Sequence, residues 1–177
     1  MERTTSSRGD ELLFGWDPMP GIVSIWASHW GNVLIWQRQG EQVICTRSSY
    51  RPWLFATTLE DAVHLGSELQ QDSERAVMSY HELCGPEGSY RYVLSARSGS
   101  LLEHTLLLGA SRRLGRQITS LGSLDDTYYR VGAVEQYLMS TGRVFFRGMV
   151  YDDLLRLQFD LETTSLDPSR PTGYATR

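Results

Sequence analysis

Leu155-Arg156-Leu157-Gln158-Phe159-Asp160-Leu161-Glu162 alternates apolar and polar side chains without a break. A period of two is the mark of a strand with one apolar face, so residues 154–162 are expected to form a β-strand. Asp160 and Glu162, two residues apart, then project from the same face about 7 Å apart along the strand. Carboxylates held this close repel, and a divalent cation relieves the repulsion. A pair of Mg²⁺ or Mn²⁺ ions about 4 Å apart can activate water and stabilise the leaving oxygen in phosphodiester cleavage. The plainer alternative is a solvent-facing strand whose acidic pair is incidental. Thr163 and Thr164 follow, and Ser165-Leu166-Asp167-Pro168 ends the strand in a turn.

Upstream, residues 21–58 carry short β-branched and aromatic runs broken at glycines: 22–27, 33–38 and 43–47, with turns at His29-Trp30-Gly31-Asn32 and Gln39-Gly40-Glu41. Arg51-Pro52-Trp53-Leu54-Phe55 leads into a further strand, where Pro52 fits an edge or a strand start. Four or five such strands predict a small, partly open, OB-like barrel. Thr58 reads as an N-cap, with Asp61 in the capping-box position and Leu59, Ala62, Val63 and Leu69 at helical spacing. A weakly alternating stretch at 75–83, a turn at Cys84-Gly85-Pro86-Glu87-Gly88, a strand at 90–96 and a helix from Ser100 complete a β-α-β-β-α order. That is the layout of a ferredoxin-like or RRM-like unit, with Tyr90 and Tyr92 expected on one face of a middle strand. After a Ser/Gly/Asp-rich linker at 119–126, residues 128–140 read as a helix, capped by Gly142. The expected fold class is therefore α+β.

Composition sets the bounds. The chain has 177 residues, enough for one ordinary domain or two small ones, with a polar stretch at 1–10 expected to be a disordered tail. No stretch approaches the roughly 20 apolar residues of a spanning helix, and the start is too polar for a signal peptide, so a cytoplasmic location is expected. All 17 basic residues are Arg. Without a lysine there can be no Walker A phosphate lysine, Schiff base or kinase strand lysine. Residues 91–147 hold eight Arg against four acids, a local balance of +4 on a chain of net charge −4. Such a segment can face a phosphate backbone or simply form a solvated face. Cys45 and Cys84, far apart and without metal-ligand spacing, are expected as buried reduced thiols. His29, His64, His81 and His104 are scattered singly, and no GxSxG or GxGxxG occurs. Five tryptophans fall in the first 53 residues: core packing is the first account, a base-stacking platform on a barrel the second.

Asp160-Leu161-Glu162-Thr163-Thr164 followed by Ser165-Leu166-Asp167-Pro168 resembles the first exonuclease motif of the DEDD 3′–5′ exonucleases, an RNase H-like fold. Arg51-Pro52-Trp53-Leu54-Phe55, Val134-Glu135-Gln136-Tyr137-Leu138 and Phe146-Arg147-Gly148-Met149 are similar to elements near the amino end of family B DNA polymerases. Those enzymes place an amino-terminal domain, part barrel and part RRM-like, ahead of the exonuclease domain. The resemblance implies that residues 11–150 form that domain and that 151–177 open the exonuclease domain. It implies Asp160 and Glu162 as catalytic ligands of Mg²⁺ or Mn²⁺, Thr163 near the primer terminus, and a DNA primer-template as the parent's partner. Family members draw two further Asp and a Tyr from later motifs, followed by the palm aspartates, and the fifteen residues after Glu162 have no room for them. The expectation is thus a fragment that cuts no DNA, binds metal poorly and touches DNA weakly through its Arg-rich middle. The alternative is a stand-alone nucleic-acid-binding or adaptor module without catalysis.

Overall fold

The computed structural model describes residues 15–124 and 126–154. The predicted DxE strand, with Asp160, Glu162 and Thr163, lies outside them.

The glycine-punctuated runs form an antiparallel meander of β1 (Ile22–Ala27), β2 (Asn32–Gln39) and β3 (Gln42–Ser49). Gly31 and Gly40 supply the turns with φ of 95° and 62°, a region that side chains with a Cβ rarely enter. Alternation sends Val33 and Ile35 inward, and an irregularity between Ile22 and Ser24 keeps both Ile22 and Ile25 on that buried side.

The second sheet holds β4 (Trp53–Ala56), β5 (Leu69–Gln71), β6 (Met78–Glu82), β7 (Tyr92–Ala96) and β8 (Tyr128–Tyr129), in the order β5-β6-β7-β4-β8. Only β5 and β6 run parallel; the other pairs are antiparallel. Helix α1 (Gly99–Leu114) starts at Ser98, whose side chain accepts from the Leu101 amide, and stops at Gly115 in the left-handed conformation. It lays Leu102, Leu106 and Ala110 on the sheet, and Leu54, Ala56, Met78, Leu94, Ala96 and Tyr128 close the core with Leu102 and Leu106. Each buried aliphatic side chain of this kind contributes roughly 1.5–3 kcal/mol.

Helix α2 (Ala133–Thr141) ends at Gly142, φ 70°, and joins the two sheets. Its Tyr137 is fully buried against Ile22, Ile25, Val33 and Ile35 of the meander. Its Gln136, 2% exposed, accepts from the Trp53 amide of β4 at 2.9 Å and donates to the Val131 carbonyl at 2.8 Å.

The α+β class holds, with four local corrections. No barrel closes among the described residues: the strand at 53–56 leaves the meander and becomes a central strand of the second sheet. The helix expected from Thr58 is a short 3₁₀ segment at Val63–Glu68, interrupted by Gly66 at φ 56°. Thr58 caps nothing beyond the Glu60 amide, and Asp61 turns inward to partners elsewhere. The helix expected over 128–140 begins only at Ala133, because Tyr128 and Tyr129 pair with Ala56 and Phe55. Finally, Cys45 and Cys84 are free as expected but exposed: Cys45 points outward from β3, and Cys84 sits in the turn after β6.

Candidate functional site

Over the second sheet, beside the end of α2, opens a cleft of about 440 Å³, lined among others by Arg51, Trp53, Asp72, Ser79, His81 and Ser95. Arg51 is built into its wall. Its Nε donates to Ser95 Oγ at 3.0 Å, its Nη1 to the Glu74 carbonyl at 3.1 Å and its Nη2 to the Ala76 carbonyl at 2.8 Å. All these acceptors are neutral. Burial, helped by the nearby Arg97 charge, draws its pKa below the usual arginine value. Arg51 thus clamps the strand start at β4 to the 74–77 loop, and Pro52, the next residue, needs no amide donor there. At the rim His81 Nδ1 lies 2.6 Å from Asp72 Oδ1.

The sheet face turned away from α1 carries an aromatic row. Trp53 meets Phe55 edge-on at 5.1 Å, Phe55 stacks on Tyr129 at 6.3 Å, and Tyr129 approaches Tyr90 at 5.8 Å. Tyr92, expected beside Tyr90, instead packs toward the helix-covered core with Tyr80 at 6.3 Å. The separation arises because Tyr90 precedes the point where β7 begins to pair.

The Arg-rich middle is largely spent on internal partners. Arg91 pairs with Glu82 at 2.8 Å, Arg130 with Glu103 at 3.3 Å, and Arg143 with Asp17 at 2.7 Å. Arg97 donates to the Arg75 carbonyl, and Arg147 lies 5.1 Å above the Trp16 ring. Arg113 grips the fully buried Asp61 with two bonds, 2.7 and 3.1 Å, while the Tyr128 hydroxyl donates to the same carboxylate at 2.7 Å. Burial and that carboxylate push the Tyr128 pKa far above its ordinary value. Arg112, in the last turn of α1, and Arg116, just past its Gly115 stop, stay open to solvent.

Among the described residues no three His, Cys, Asp or Glu side chains converge as metal ligands would. No described helix is long and apolar enough to cross a membrane. The Asp61–Arg113–Tyr128 cluster escapes a sequence reading because its members are scattered along the chain and Asp61 mimics a capping residue. The tryptophans expected in the core are corrected in the meander: Trp26 and Trp30 are exposed, because the buried face is already filled by Ile22, Ile25, Val33 and Ile35.

Comparison of the chain with protein-family models, with curated proteins and with solved structures finds no match.

Proposed function

We propose that this chain carries the amino-terminal domain of a family B-like DNA polymerase, over residues 11–150, and the opening of its 3′–5′ proofreading exonuclease, over 151–177. The observation that carries the reading is the string Asp160-Leu161-Glu162-Thr163-Thr164 at the end of a stretch of sequence that alternates apolar and polar residues. The second sheet supports it. In chain order β4, β6, β7, α1 and β8 take the places β6-β7-β4-β8, with antiparallel neighbours throughout, as a split β-α-β or RRM-like unit requires. The first crossover of such a unit is here reduced to the 3₁₀ segment at Val63–Glu68 and the short β5. Arg51 and Pro52, quoted for the polymerase resemblance, stand at the start of that unit's first strand.

On this reading Asp160 and Glu162 hold Mg²⁺ or Mn²⁺, and Thr163 lies beside the primer terminus. A metal held there would supply activation of the attacking water and stabilisation of the departing 3′ oxygen. Two carboxylates alone neutralise too little of the ions' charge to fix a pair of them, so the 177-residue chain itself is expected to be inactive on DNA. In the parent, template-directed synthesis and removal of mismatched ends are the paired activities.

The gene tests this directly. A reading frame carrying, downstream of Glu162, further exonuclease Asp motifs and palm aspartates, whose product extends a primed template, is the expected result. A frame without them, whose product neither extends nor trims a primer, would leave the adaptor reading in its place.

A further inference from the structure

The meander buries one face and leaves the other open. Leu34 pairs with Trp26 on one side and Arg47 on the other, and Trp36 pairs with Ser24 and Cys45. Trp26, Leu34, Trp36 and Arg47 therefore share the outer face, opposite the buried Val33 and Ile35. Trp26 is 51% exposed and Trp36 half-buried, although the core on the far side is already filled by Ile22, Val33, Ile35 and Tyr137. Among the described residues neither indole meets another aromatic ring, and Arg47 has no carboxylate partner.

The electrostatics are one-sided. Strands β1 to β3 contain two arginines, Arg38 and Arg47, and no Asp or Glu. Glu41 sits in the β2–β3 turn, and at the Arg38 end the Asp153 carbonyl accepts from that guanidinium. On a chain of net charge −4 this face presents two indoles beside Arg47, with no Asp or Glu in its three strands. Trp26 and Trp36 occupy diagonal positions on adjacent strands, a separation of about 7–8 Å between neighbours of that kind. Successive bases of a stretched strand can each cover one such ring while Arg47 meets the phosphate between them.

We propose that the outer face of the meander is a platform for single-stranded nucleic acid, with bases stacked on Trp26 and Trp36 and phosphates held by Arg47 and Arg38. Stacking on an indole is open to every base, so recognition is sequence-tolerant. A second copy of the chain is disfavoured as occupant, because a self-complementary contact would press the same arginines together. The platform uses none of the residues on which the polymerase reading rests, and it stands whether or not that reading does.

The test is fluorescence anisotropy of a labelled oligo-dT titrated with the full 177-residue chain at low salt, with a duplex of equal length alongside. The single strand should bind more tightly than the duplex, with quenching of indole fluorescence. Trp26→Ala and Trp36→Ala should each weaken binding about tenfold, and Trp26→Phe should keep most of it. Arg47→Glu should weaken binding and lower the salt slope by about one. Arg112→Glu, on the exposed end of α1, should stay within about twofold of the parent chain. Wild-type affinity in the folded Trp and Arg47 variants overturns the proposal, as does a loss confined to Arg112→Glu or equal affinity for duplex. So does sedimentation showing that the Trp substitutions break a dimer.

Discussion

Asp61 shows how much one side chain can decide here. Its carboxylate is fully buried, and it survives there because Arg113 and the Tyr128 hydroxyl satisfy both oxygens. Asp61→Ala would leave a guanidinium and a buried hydroxyl without their acceptor; with Arg113 a third exposed, the expected loss is about 2–3 kcal/mol by chemical denaturation. Tyr128→Phe should cost less, roughly 1–2 kcal/mol, since it removes one bond and keeps the packing. Tyr128 also predicts a pH dependence. Folded Tyr128 holds its proton to higher pH than the unfolded chain does. Its contribution is therefore complete below the unfolded tyrosine pKa of about 10 and is lost as pH rises above it. Melting curves between pH 8 and 11 should fall less steeply for Tyr128→Phe than for the parent chain, and parallel curves would contradict this account. None of this was legible in the sequence: Asp61 fits a capping pattern with Thr58, and local hydrogen-bond logic carries no sign of a partner 52 residues away.

At the level of elements, boundaries set by local chemistry were readable and those set by tertiary pairing were not. The Gly31 and Gly40 turns, the strands they join and the Gly142 stop of α2 follow from residue type. The start of α2 does not, because Tyr128 and Tyr129 add to the edge of a sheet whose other strands lie far upstream. Helix α1 docks so closely that a Cβ on Gly109 would stand 1.8 Å from the Asp61 carbonyl oxygen. Gly109→Ala should therefore push α1 away from the turn at Asp61 at a cost of about 1–3 kcal/mol, read as a drop in melting temperature. Helix α2 is held by Gln136, which satisfies the Trp53 amide and the Val131 carbonyl together. Gln136→Leu keeps the volume and strands both groups, so a loss of about 2 kcal/mol is expected where simple apolar exchange would be neutral. An unchanged midpoint in urea would show that α2 does not depend on this bridge.

For the whole molecule, the sequence supported the α+β class, but core packing, the first account of the early tryptophans, fails for Trp16, Trp26 and Trp30, which stand exposed. The sequence overstated the barrel, since nothing in Trp53-Leu54-Phe55 tells which sheet the strand will join. Arg51 was singled out as part of a motif; the fold makes it a clamp on the wall of the cleft. The eight arginines of the middle segment fit a phosphate-facing patch or a solvated face by composition, and in the fold Arg91, Arg113, Arg130 and Arg143 are each neutralised by a carboxylate. The functional account accordingly rests on Asp160 and Glu162, and its most direct test is a substitution there. On the proposed reading, a polymerase carrying this chain should lose release of a mismatched 3′-terminal nucleotide on Asp160→Ala while largely retaining primer extension on a matched template. Unchanged release in that variant would contradict the assignment of these carboxylates to a proofreading exonuclease.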